Sequence, residues 1–200
     1  NDTAPTEIYT LPLPDALPIS PSVRGLLGGL EGRALRKGEA LRTLPSGPLR
    51  LRRAEPAAVP DYRSAQPIRL VLGPQDDRFT EAGIRALLDS PYEVLPQSAR
   101  MGARLRGPRI AHARGHDIIS DGIALGSVQV PGDGQPIVLL VDRQSTGGYT
   151  KIATVCSLDV GRLGQVKPGQ RVRFAALTLA DAHRALRHWQ VALAGVLARE

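Results

Sequence analysis

Cysteine is almost absent: Cys156 is the only one in 200 residues. No internal disulfide framework can form, so nothing argues for an oxidising compartment. Long apolar runs are missing too, and none approaches the roughly 20 residues that a membrane-spanning helix needs. The opening residues lack the basic-then-apolar pattern of a secretory signal, so a cytoplasmic protein without a membrane partner is expected. Aromatic residues make up 4% of the chain, too few for a platform on which bases could stack. Lysine is scarce as well: Lys37, Lys151 and Lys167 stand against 26 basic residues in total. The net charge of +7 is therefore mostly arginine, scattered along the chain rather than gathered into a stripe. That pattern speaks against nucleic acid and suits acidic small substrates or phosphates. There is no G-x-S-x-G elbow, Walker loop or Rossmann glycine pattern. Ser120 has no claim as a nucleophile, and no phosphate loop for ATP is expected in this chain.

Proline and glycine punctuate what remains. Residues 1–21, NDTAPTEIYTLPLPDALPISP, hold five prolines and no periodicity, which removes backbone donors and blocks both helix and central strand. The string resembles translated sequencing adapter and is expected to be foreign to the protein and disordered. From Val23, Gly28-Gly29 and Arg36-Lys37-Gly38 read as tight turns between short strands. Residues 45–67 are rich in proline and arginine, with a short strand at Leu49–Arg52, and read as a linker between subdomains.

Beyond the linker the text is that of a β protein. Ile68–Leu72 is a buried strand ended by Gly73-Pro74. Thr80 should cap a helix, EAGIRALLDS, whose apolar face is Ile84, Leu87 and Leu88, with Gly83 as its weak point. Short strands are expected at Tyr92–Leu95, Asp117–Ser120, Ser127–Val130, Pro136–Val141, Ile152–Ser157 and Gln170–Ala175. Pro131-Gly132-Asp133-Gly134 is a hairpin signal. Every residue of Pro136–Val141 after its proline is apolar, so cover on both faces is expected. Cys156, in an alternating strand, should be buried and inert. A second helix follows Thr178, with Asp181 completing a capping-box pattern. Leu179, Ala182, Leu186, Trp189, Leu193 and Val196 recur at steps of three and four and predict a core-facing stripe. The sum is a mainly β chain with two helices, and strands this short and turn-rich suggest a barrel.

Four stretches carry a family likeness: "GLLGGLEGRALRKGEAL" (Gly25 to Leu41), "GPQDDRF" (Gly73 to Phe79), "SARMGARLRGP" (Ser98 to Pro108) and "DIISDGIALGSVQVPGDGQPIVLLVDRQSTGGYTKIATV" (Asp117 to Val155). They resemble the family of C-type subunits of 5-oxoprolinase, also described as biotin-dependent carboxyltransferase, KipA-like or urea-amidolyase related. The likeness runs from about Val23 to the C-terminus. It implies a pair of cyclophilin-like β-barrel subdomains, of which residues 22–66 would be a remnant of the first with its linker. Residues 67–200 would then be the second barrel with its C-terminal helix, in a truncated chain inactive alone. The implied activity is ATP-dependent opening of the 5-oxoproline lactam to glutamate with two partners, an A-type 5-oxoprolinase protein and a KipI-like B-type protein. In that reading ATP would be bound with a partner. The alternatives the resemblance leaves open are a carboxyltransferase of urea carboxylase type, which would use biotin, and a KipA-like regulator that binds a kinase inhibitor.

Either enzymatic reading needs control of negative charge beside an amide or urea carbonyl. After the apolar run, Asp142 to Lys151 is polar apart from two glycines. Lys151, Asp142 and Gln144 are the candidate catalytic residues: a mobile cation, and groups that accept from and donate to an N–H/C=O edge. Thr146, Gly147, Gly148 and Tyr149 are candidate substrate-binding residues, Thr146-Gly147-Gly148 by forming a concavity of successive backbone N–H groups. The same S-T-G-G also reads as an ordinary hairpin turn facing water. Arg100 and Arg104 could clamp a carboxylate or phosphate, or simply serve as surface ion pairs. Gln129 and Gln135 could read a ligand amide, or tie down the turn between them. Thr150 stands where the family commonly has proline, and Ala99 and Ala103 stand beside Arg100 and Arg104 where it has Asp and Tyr. Asp76 and Asp77 before the Thr80 helix read as complements to its N-terminus. His112 and His116 lack a third ligand of suitable spacing, so no metal is expected.

Overall fold

The computed structural model describes residues 36–40, 62 and 66–197, the last three by backbone only. The chain divides into two compact units, residues 1–53 and 54–200. Of the first, the described part is the turn at Arg36–Ala40, where Glu39 N donates to Arg36 O at 3.2 Å and Gly38 has φ +90°. That turn was expected. The segment 1–21, the Gly28-Gly29 turn, the strand at Leu49–Arg52 and most of the linker lie outside the described residues.

The second unit is built on a sheet whose first strand, β1 (Ile68–Leu72), buries Ile68 and Leu70. A 3-10 turn at Asp76–Arg78 leads to α1 (Glu81–Asp89), which is followed by β2 (Tyr92–Val94) and β3 (Gly102–Arg106). Next come β4 (Asp117–Gly122), β5 (Ser127–Gln129), β6 (Ile137–Leu139), β7 (Thr146–Tyr149) and β8 (Lys151–Val155). The chain finishes with α2 (Ser157–Leu163), β9 (Arg171–Val172), β10 (Phe174–Ala176) and α3 (Leu179–Leu197). Eight strands form one sheet in the order β10-β1-β8-β5-β6-β3-β2-β9, while β4 and β7 pair as a separate ribbon.

The two edges of the large sheet are neighbours in sequence. Val172 of β9 pairs with Tyr92, and Phe174 of β10 pairs with Ile68. A single residue, Arg173, separates them, and its carbonyl accepts Ile68 N at 2.8 Å. One passage of chain thus serves both edges, which rolls the sheet into a nearly closed barrel and leaves little edge to template aggregation. Inside lie Leu70, Tyr92, Leu105, Val128, Val138, Ile152 and Phe174, among others. Each such side chain is worth about 2 kcal/mol in water-excluded area. Tyr92 is the largest of the fully buried set, and its hydroxyl donates to Pro108 O at 2.9 Å. A Cβ at Gly107 would stand 2.6 Å from the Tyr92 ring, so only glycine admits it there.

The first helix starts as its sequence dictates, with the Thr80 hydroxyl accepting Gly83 N at 2.9 Å. Gly83 itself is buried because α1 crosses the 111 loop closely; a Cβ would lie 2.5 Å from Ala111 O. The expected hairpin is present too: β5 and β6 are antiparallel, and Gly134 (φ +73°) closes the turn by donating to Pro131 O at 2.9 Å.

Four expectations change. The strand expected to run to Ser157 stops at Val155, and α2 begins at once, giving three α-helices among the described residues rather than two. Its anchor is Asp159, whose buried carboxylate accepts the backbone N, Nε and Nη2 of Arg69, each at 2.8 Å. Pro136–Val141 is covered on both faces only as far as Leu139; after Leu140 the chain turns out of the sheet and Val141 is 63% exposed. The α3 stripe does not enter the core: Trp189 is 42% exposed, and Leu179 and Leu193 are exposed as well. Only its early turns approach the barrel, where Leu179, Ala182 and Leu186 face β1 and β8 across a cavity of about 400 Å³. Finally, Thr146–Tyr149 is a strand paired with β4. Among the described residues no helix is long and apolar enough to cross a membrane.

Candidate functional site

Lys151 opens β8, whose side chains at 151, 152, 153 and 155 are buried. The lysine itself is 2% exposed, so its four-carbon stem runs among apolar neighbours. Its ammonium emerges at one partner, donating to Asp121 Oδ2 at 3.1 Å. Asp121 sits on β4 and is 55% exposed at its side chain. Its other oxygen, Oδ1, accepts Gly122 N at 2.7 Å. The hydrogen bond from Lys151, then that from Gly122, hold the Asp121 carboxyl below the usual carboxylate range. A third contact, Gln75 Nε2 at 3.4 Å, acts in the same direction.

Gln129 faces Lys151 across the β5–β8 pairing and is 2% exposed. Its Nε2 has no hydrogen-bond partner among the described residues, although a buried amide without one is costly. The Thr150 hydroxyl is likewise buried and unsatisfied. Gly147 of β7 lies opposite Asp121 in register. A Cβ there would stand 2.7 Å from Ile123 Cδ1, 2.8 Å from Gln129 Nε2 and 3.6 Å from Gln144 Nε2. The glycine therefore makes room where two amides, one buried and one exposed, approach the same point.

Among the residues singled out from sequence, the structure brings Lys151, Gln129, Gln144 and Gly147 together. It places the others elsewhere. Asp142 is taken up by Arg100 in a two-bond fork, Nε to Oδ2 and Nη2 to Oδ1, both at 3.1 Å. Arg104 lies on the exposed side of β3. Gln135 spends its amide on the Gly107 peptide, accepting its N–H at 2.8 Å and donating to its carbonyl at 3.2 Å. Thr146 is exposed, Gly148 backs onto Ile118 O, and the Tyr149 ring sits 6.4 Å from that of His116. The Thr146-Gly147-Gly148 concavity does not form: neither glycine has positive φ, and in a strand successive N–H groups point to opposite edges. The hairpin alternative fails as well, because β7 pairs with β4 while β8 pairs with β5 and β1.

Sequence reading passed over Asp121 and Gln75. Asp121 sits in an S-D-G that looks like a turn, and Gln75 precedes two acids that look like helix-end complements. The usable signal was Lys151 itself, since a lysine opening an apolar strand needs a carboxylate nearby. His112 Nε2 donates to Val130 O (3.0 Å), and its ring lies tilted at 4.7 Å on that of Phe79. Among the described residues no group of three or more His, Cys, Asp or Glu could hold a metal ion. Burial pushes the Cys156 thiol up, away from nucleophilic thiolate.

The arrangement is a buried cation leashed by a half-exposed carboxylate, next to an amide donor with nothing to donate to. Such a set can hold a planar carbonyl compound by its oxygen and stabilise charge that grows there. Comparison with known proteins places the chain in a family. Residues 19–176 match the family model described as carboxyltransferase domain, subdomain A and B. The chain belongs to this carboxyltransferase family. Within it, the chain is 38% identical over 159 residues to the C-type subunit of the 5-oxoprolinase of Escherichia coli (strain K12), covering 80% of this chain and 50% of that protein. It is 34% identical over 182 residues to the C-type subunit of the Haemophilus influenzae 5-oxoprolinase, covering 90% and 58%. The chain thus spans about half the length of the curated relatives it matches. Among solved structures, the K. lactis urea amidolyase superposes with a TM-score of 0.73 at 24% identity, over 89% of this chain and 12% of that one. That likeness shows the fold alone, and it agrees with the mainly β barrel expected from the sequence.

Proposed function

We propose that the parent of this chain is the C-type subunit of an ATP-dependent 5-oxoprolinase, which adds water across the lactam C–N bond of 5-oxoproline to give glutamate. The observation that carries the reading is the buried, partnerless Gln129 amide beside Lys151, supported by 38% identity to a protein of that name. In this reading Gln129 Nε2 and Lys151 Nζ donate to the lactam oxygen, which gains negative charge as water adds to the carbonyl carbon and gives it up as the C–N bond breaks. The Gln144 amide receives the ring N–H. Asp121 holds the ammonium turned towards the site until substrate arrives. These donors do not fit a nucleotide: the described residues hold no glycine-rich phosphate loop, and Thr146-Gly147-Gly148 is a strand. ATP belongs with a partner, and no step here runs through it. The partners are an A-type 5-oxoprolinase protein and a KipI-like B-type protein, working in the cytoplasm. The full-length parent, co-purified with both, should release glutamate from 5-oxoproline only when ATP is present. Equal turnover when the parent is left out would overturn the assignment.

A second reading is favoured by the family description, carboxyltransferase domain. The same two donors suit the ureido oxygen of carboxybiotin, a group that would supply an activated carboxyl. Loss of activity on adding avidin would select it over lactam hydrolysis.

A further inference from the structure

Gln75 makes three contacts that no account of the donors uses. It sits in the loop between β1 and the 3-10 turn, and its backbone N donates to Lys151 O at 3.1 Å. Its side-chain Oε1 accepts Lys151 N at 3.0 Å, and Nε2 points at Asp121 Oδ2, 3.4 Å away. Asp121 Oδ2 is the oxygen that receives the Lys151 ammonium. One amide therefore grips the peptide of the buried lysine with its oxygen and reaches that lysine's counter-ion with its nitrogen. The strand pairings do not do this. β4, which carries Asp121, belongs to the two-stranded ribbon and is not paired with β8, which carries Lys151. The β4–β7 register also slips between Asp117 and Asp121, so the ribbon alone fixes the carboxylate loosely.

We propose that Gln75 is a positioning residue that ties the ribbon's Asp121 to the barrel's Lys151, so that the carboxylate stays over the ammonium at the mouth of the carbonyl site. The catalytic consequence rests on the function proposed above; the tie itself does not. A side chain that merely braced the loop would need only its oxygen on Lys151 N. A positioning one needs its nitrogen on Asp121.

Two variants separate these roles. Gln75→Glu keeps an oxygen for Lys151 N but loses the donor and sets a like charge beside Asp121. Gln75→Met keeps the length and loses both functions. The first measurement is the pH titration of the Asp121 carboxyl carbon by NMR in the chain itself, with Asp121→Asn used to assign the resonance. Among the described residues the charge acting on Asp121 comes from Lys151. Gly147, opposite it on the ribbon, and the adjoining Thr146 carry none, and Asp76 and Asp77 adjoin Gln75 and are unchanged in every variant. The Asp121 midpoint should rise in Gln75→Met, which loses one donor to the carboxylate, and rise further in Gln75→Glu, which adds a like charge. A midpoint unmoved in Gln75→Met overturns the proposal; if that variant does not fold, an unmoved midpoint in Gln75→Glu does so. The second measurement is turnover in the full-length assembled enzyme. Gln75→Glu should lower kcat about tenfold with KM within about threefold, and shift the acid limb of the rate profile upward. Wild-type kcat in Gln75→Glu would leave Gln75 a loop brace and overturn its catalytic part. Because the titration needs no substrate, it decides the tie even if 5-oxoproline proves not to be turned over.

Discussion

Replacing Asp159 by Asn should cost this chain more stability than any other change that spares both the apolar core and the site. The carboxylate is about 1% exposed and accepts three hydrogen bonds from Arg69 at 2.8 Å and a fourth from Arg162 Nη1 at 3.3 Å. It fastens α2 onto β1 at the place where the barrel is closed by β10. Asparagine has nearly the same shape but keeps only one acceptor oxygen, turns an NH₂ towards donors and leaves two guanidinium charges uncompensated. Breaking a fully buried pair from one side costs about 3–5 kcal/mol. Arg69 is 35% exposed, and Arg162 also donates to Gln66 O and Pro67 O, so water and backbone recover part of this. The expected loss is about 2–3 kcal/mol, which lowers Tm by roughly 5–10 °C. Urea unfolding followed by circular dichroism should show a lower midpoint at unchanged m-value. The pH dependence gives an independent reading. Burial alone would raise the Asp159 carboxyl, but the Arg69 hydrogen bonds outweigh it and hold it below its ordinary 3.8. Its contribution is therefore complete above pH ~4 and disappears as pH falls through the lower folded value. The wild type should lose stability there faster than Asp159→Asn. A loss under about 1 kcal/mol, or parallel acid limbs, would refute the account of α2 as pinned by charge.

Two further expectations concern the site. Lys151→Met should leave the unfolding midpoint unchanged or raise it, because a buried ammonium gives way to apolar volume while the half-exposed Asp121 can be rehydrated. Turnover in the assembled enzyme should nevertheless fall at least a hundredfold, and retention of activity would remove Lys151 from the chemistry. Gly147→Ala should push the Gln129 amide aside, since the new Cβ arrives 2.8 Å from Nε2 and 2.7 Å from Ile123 Cδ1. The expected result is about 1 kcal/mol of destabilisation with a tenfold or larger drop in kcat/KM, and wild-type kinetics would show that the amide's position is irrelevant.

What could be read from sequence was whatever is encoded locally. Ile68–Leu72, the Thr80 cap and the Pro131–Gly134 turn each announce themselves within a few residues, and the structure places them there. The helix α2 did not, because SLDVGRL holds a glycine and only seven residues. What makes it helical is Arg69, 90 residues away. The α3 stripe misled for the opposite reason. Its 3.6-residue period shows that one face is apolar, but not what the face packs against, and after Leu186 the barrel no longer lies beneath it.

The site divides along the same line. Lys151, Gln129, Gln144 and Gly147 stood out because polar groups and a glycine lie within or directly beside apolar strands, a local signal. Asp121 and Gln75 were hidden because their roles depend on how the β4–β7 ribbon docks on the barrel, and no periodicity reports that. The ribbon also explains why Asp142 and Arg100 drew attention as chemistry. Both are charged and border the marked stretch, yet their two-bond fork satisfies each with the other on a partly exposed face, whereas Lys151 is sealed in, with its counter-ion on a separate sheet. A buried charge whose partner rides on an independently hung element can be uncovered by moving that element, without unfolding the core. That difference, rather than the mere presence of charge, is the ground on which we propose Lys151 as the residue around which the chemistry is arranged.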